Sequence, residues 1–130
     1  MGRPARRAKI ETPRQALDRL YAETVDCGDM ARGWFDGPGL AWREGLDPAA
    51  RAAVATEGLA ITSRLMVVMS WLLHAAHAGR EPRVQRFAGS PEEPLPANHP
   101  LGGTPGGAIA AKSRELLARA TTIASLFQEP

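Results

Sequence analysis

Apolar positions along this chain recur at three- and four-residue spacing in three stretches. Each stretch opens on a capping residue followed by proline: Thr12-Pro13, Asp47-Pro48 and Thr104-Pro105. A side-chain oxygen at the cap accepts orphan backbone N–H groups, and proline at the first helical position gives up a donor that would be unused there. Gln15 completes a capping box with Thr12. Leu17, Leu20, Tyr21, Thr24, Ala31, Trp34 and Phe35 form one face of a first helix, over about 13–36. Gly37-Pro38-Gly39 ends it, with Gly37 suited to a left-handed cap and Pro38 blocking continuation. Gly28 interrupts this helix, at a position suited to close approach by another.

The second start opens the longest helix, over about 48–78, stopped by Gly79. Val54, Gly58, Ile61, Leu65, Val68, Met69, Leu72 and Ala76 fall within about 60° of one direction when wound at 100° per residue. Val67 and Trp71 lie on the other side, with His74 beside them. A helix apolar on both sides needs cover on both, from the third helix or from another subunit. The third helix, over about 105–127, carries Ile109, Ser113, Leu116, Leu117, Ala120, Ile123, Ala124 and Phe127 on one face. The expected fold is therefore all-α: a three-helix bundle with a long central helix. A proline- and glycine-rich loop, 79–104, precedes the third helix, with Val84 and Phe87 as its bulky anchors, and it is long enough for helices two and three to run parallel or antiparallel.

Composition agrees with helices. Hydrophobic residues make up 44% of the 130 residues but aromatics only 5%, so the apolar content is largely Ala, Leu, Val, Ile and Met. Residues 1–11 form a basic arm holding Arg3, Arg6, Arg7 and Lys9, read as disordered, and 12–128 form one domain. No basic face within the helices accompanies the arm, so nucleic-acid binding is not expected. The single cysteine, Cys27, excludes an internal disulfide and reads as a small buried hydrophobe. The densest apolar run, 65–73, falls short of the roughly 20 residues that span a bilayer, and no signal peptide is visible, so a cytoplasmic protein is expected.

Catalytic chemistry is hard to place. His74 and His77 are three apart on a helix but lack a third metal ligand, because Glu81 lies beyond the helix stop and His99 lies in the loop. The pairs Asp26/Asp29 and Glu92/Glu93 have no pocket that would split their acidities. Gly102-Gly103-Thr104-Pro105-Gly106-Gly107 follows no strand and lacks the lysine of a phosphate-binding loop. No catalytic, cofactor-binding or metal-binding residue is assigned, and an enzyme is not expected.

Two segments carry a resemblance: Trp34-Phe35-Asp36-Gly37-Pro38-Gly39, and the run from Thr56 to Leu73 containing Thr62-Ser63-Arg64-Leu65-Met66 and Ser70-Trp71-Leu72-Leu73. They resemble the corresponding stretches of the RcdA family, the alphaproteobacterial regulators of CtrA degradation, most of whose members are catalogued as a domain of unknown function. After Leu73 the chain departs from that pattern, reading His74-Ala75-Ala76-His77-Ala78-Gly79. The resemblance implies a three-helix homodimer without an active site. It further implies an adaptor that helps the ClpXP protease receive substrates during the cell cycle, with response-regulator-type proteins as further partners. The expected contact residues are Trp34, Phe35, Arg64, Val67, Trp71 and His74, with Val67 and Trp71 at the centre of a dimer face. A homodimeric scaffold with another partner, and a DNA-binding regulator using the arm, are the other readings.

Overall fold

A computed structural model describes residues 11–76 and 92–127. Among them the chain is all-helical, with no strand, and has four helices: α1 (Pro13–Phe35), α2 (Pro38–Glu44), α3 (Pro48–Ala76) and α4 (Pro105–Phe127). The three cap–proline starts are all used. Thr12 Oγ1 accepts from Gln15 N (3.1 Å) while Gln15 Oε1 accepts from Thr12 N (3.0 Å). Asp47 Oδ1 accepts from Ala50 N at 2.8 Å, and Thr104 Oγ1 from Gly107 N at 3.2 Å.

The expected count of three helices is too low. Pro38 does stop α1, but a proline that cannot continue one helix is well suited to begin the next, and it stands at the first position of α2. Gly37 is not a left-handed cap either, having φ −110°. It is held close to the preceding turn, where a Cβ would stand 2.6 Å from the Gly33 carbonyl oxygen.

Pairings across the helices set their directions. Gly58 faces Phe35 and Gly28 faces Leu65, so α1 and α3 are antiparallel. Cys27 Sγ lies 3.9 Å from the Ile109 carbonyl oxygen, and Lys112 Nζ lies 2.8 Å from Glu23 Oε1, so α1 and α4 are antiparallel too. Helices α3 and α4 therefore run parallel. Residues 77–104 join α3 to α4, and 92–104 of them are described.

The core lies where α1, α3 and α4 meet, around Leu20, Ile61, Val68, Ala110, Leu116 and Ala120. Leu101, in the loop, is fully buried, and Leu95 packs against the core. These two anchor the described half of the loop. Val84, Phe87 and the basic arm apart from its last residue, Glu11, lie outside the described residues.

Candidate protein-binding groove

The buried positions of α3 are Val54, Glu57, Ile61, Arg64, Val68, Trp71 and Leu72. Their alternating three- and four-residue steps make a bundle seam, and two of the seam positions are charged. Arg64 is only 3% exposed. Its Nη1 donates to Glu57 Oε2 (2.8 Å) and Ser113 Oγ (3.1 Å), and its Nε to Glu92 Oε1 (3.0 Å). Glu57 also accepts from Arg114 Nη1 (2.8 Å) and Nη2 (3.2 Å). The Arg114 Nε in turn donates to the Glu93 carbonyl oxygen at 2.8 Å, which ties the loop to α4. Burial pushes the Glu57 carboxyl up, but the hydrogen bonds from Arg64 and Arg114 outweigh it and hold the acid below its ordinary range. Burial works against the Arg64 charge, and Glu57 and Glu92 overcome that, so its pKa is raised. Every buried side-chain polar atom among the described residues has a hydrogen-bond partner.

The expected contact residues are thus divided. Arg64 and Trp71 face inward, at 3% and 8% exposure. The cause is rotational: the buried stripe of α3 is turned by roughly 60° from the purely apolar one, toward Arg64 and Trp71. Trp34 and Phe35 are half-buried and pack against the core, with ring centroids 4.9 Å apart and edges to faces. The Trp34 indole also lies 5.5 Å from that of Trp42 and fits against Gly39 and Gly106. Val67 and His74 are exposed on α3. His77 lies outside the described residues, and His99 Nδ1 accepts from Leu101 N at 3.1 Å. No group of three metal-ligating side chains occurs among the described residues.

Turning the seam leaves apolar residues outside. Leu59 is 74% exposed, Met66 66%, and Leu73 and Val67 are also open; on α1, Met30 is 59% exposed. Between α1 and α3 runs an open groove of about 950 Å³. Val25, Ala31 and Phe35 line it from α1, and Gly58, Leu65 and Met69 from α3, with Leu59 and Met66 on its lip. Gly28 belongs to its floor: the nearest atom to a Cβ there would be Leu65 Cδ1, at 4.0 Å. Arg32, Arg43, Arg51 and Asp36 line one end. The sequence signals that could have found this groove are Gly28 and Gly58, small residues on facing helices, and α2, which brings Arg43 to its end.

By length and composition Pro48–His74 is apolar enough to cross a membrane; in this fold its seam side packs against α1 and α4.

The chain belongs to a family of proteins of unknown function, DUF1465, whose model matches residues 9–86. No curated protein and no solved structure matches the chain significantly. The matched region takes in α1, α2 and α3, and so both walls of the groove.

Proposed function

We propose that this DUF1465 member is a non-enzymatic, cytoplasmic adaptor of the RcdA kind. In this reading it pairs with itself and helps the ClpXP protease receive selected substrates in cell-cycle control. The observation that carries the reading is the apolar surface left by α3, a helix whose inner side is already committed to the core. Leu59, Met66, Val67 and Leu73 stand outside it, and a groove opens beside them. Contiguous exposed apolar surface on a small domain marks a contact site. The RcdA resemblance in α1 and α3 supplies the kind of contact.

Self-association is assigned to the outward side of α3 around Val67 and His74, without Trp71. Val67→Glu should convert dimers to monomers in sedimentation or light scattering while leaving the helical circular dichroism intact. For the adaptor role, the full chain is immobilised and challenged with purified ClpX and with a receiver-domain protein. Retention of either supports the reading. Failure of both to bind, with dimers still present, would favour a homodimeric scaffold unrelated to proteolysis, a reading that the same exposed residues support.

A further inference from the structure

We propose that the α1–α3 groove receives an amphipathic helix from another protein, one with acidic residues at the end that meets Arg32, Arg43 and Arg51. The proposal deepens the protein-binding reading by naming the chemistry of the partner. Length, surface and charge carry it.

The groove runs from Thr24 on α1 to Asp36, the residue that caps that helix, and from Arg51 to Met69 on α3. At 1.5 Å per residue these walls are roughly 18 Å and 27 Å long, matching a guest helix of about 12–16 residues. An apolar floor with apolar lips suits residues repeating at i, i+3, i+4 and i+7. The two methionines of α3, Met66 and Met69, can adapt to the shape of the guest.

Charge selects the guest. Arg32, Arg43 and Arg51 belong to none of the ion pairs formed among the described residues. Two carboxylates, Asp29 and Asp36, line the groove with these three arginines, which leaves its lining net positive. Arg51 stands in the first turns of α3, where the helix dipole disfavours a cation. An acidic group brought by a partner relieves this arrangement.

Of the chain's own other segments, residues 1–10 carry Arg3, Arg6, Arg7 and Lys9, and 77–91 carry Arg80, Arg83 and Arg86 against one acid, Glu81, so neither offers an acidic end to the arginines. A second copy seated groove to groove fits poorly as well: a two-fold axis sets the arginine end either on itself or on the opposite end, lined by Thr24, Val25 and Met69, with Asp29 the nearest carboxylate a turn away.

The test uses the full chain and two fluorescently labelled synthetic helical peptides of about 16 residues with identical leucine faces. One ends in three glutamates and the other in three lysines. The expected result is binding of the glutamate peptide about tenfold or more tighter at low salt, with the difference shrinking as salt rises. Arg43→Glu/Arg51→Glu should abolish or invert the preference with melting temperature and oligomeric state unchanged. Met66→Ser should weaken both peptides alike. Equal binding of the two peptides, or binding of neither, overturns the proposal; so does a change of oligomeric state in the arginine variant, which would make the groove a self-association face. If neither peptide binds while ClpX or the receiver-domain protein is still retained, the groove assignment falls and the adaptor reading stands on another surface.

Discussion

Glu57→Gln should be the most damaging conservative substitution in this chain. The carboxylate is buried between two guanidiniums, taking 2.8 Å hydrogen bonds from Arg64 and from Arg114. Glutamine preserves the size of the side chain but removes the charge, and its amide nitrogen would point donors at donors. As a charged partner Arg64 keeps only Glu92, whose side chain is about half exposed and screened by water. Removing one partner of a buried ion pair costs about 3–5 kcal/mol, because the charge left behind is uncompensated. For a chain of this size that is a fall in melting temperature of roughly 10–20 °C. Arg64→Met should cost less, because Glu57 retains Arg114 and Ser113 still donates to the Ala110 carbonyl oxygen at 2.7 Å. Glu92→Gln should cost under about 1 kcal/mol, as exposed pairs do.

Urea and thermal unfolding followed by circular dichroism would rank the three, and pH supplies a control. The folded-state pKa of Glu57 is lowered, so its contribution to stability is complete above the unfolded value, about 4.3, and disappears as pH falls through the folded value. The gap between wild type and Glu57→Gln should therefore be flat from about pH 5 to 8 and close only in more acidic solution. A loss below about 1 kcal/mol for Glu57→Gln, or a larger loss for Arg64→Met, would refute the account of the buried network.

Three further outcomes follow from packing. Gly28→Ala should stabilise the chain by about 0.5–1 kcal/mol in urea unfolding, because its Cβ would make only ordinary contact and a mid-helix glycine is removed. Gly106→Ala should do the opposite, lowering stability by about 1–3 kcal/mol, since its Cβ would stand 2.4 Å from Trp34 Cζ3 and 2.8 Å from Leu101 Cδ2; a shift in tryptophan fluorescence would report the displaced ring. The Cys27 thiol is buried, and burial pushes its pKa up against the nearby Lys112 charge. A water-soluble disulfide reagent should thus label native protein far more slowly than urea-unfolded protein, and equal rates would contradict that placement.

The helix starts were legible because each is a local device. A cap oxygen, a proline and a hydrophobic period need nothing from the rest of the fold, and Pro13, Pro48 and Pro105 all begin helices where those signals stand. The fourth start was hidden by the same residue type: Pro38 reads equally well as the end of one helix and the beginning of another, and Gly37 offers no side-chain cap to decide between them. The orientation of α3 was illegible for a different reason. Its apolar residues lie all around the helix, so periodicity alone has little power to choose which side is buried.

What distinguishes the two sides of α3 is the pair of charges at seam positions. Seven residues separate Glu57 from Arg64, two turns of helix, so they share a face, and Arg114 and Ser113 on α4 complete their hydrogen bonding. A stripe chosen by hydrophobicity leaves these charges outside one margin, with Leu65 near its centre and Met69 at the other margin. Satisfying the charges instead rotates the helix, draws Trp71 inward and sends Leu59 and Met66 out. The buried ion network and the open apolar groove are thus two results of one rotation. Replacing Glu57, Arg64 and Arg114 together by apolar residues of similar volume should leave stability nearly unchanged or raised, since fully paired burial of charge confers little net stability. The same triple variant would remove the charge pairing that sets the rotation. A helical, stable variant with Met66 newly protected from oxidation, relative to wild type, would show the rotation relaxing; unchanged oxidation of Met66 would mean that packing against α1 and α4 sets the rotation without the charges.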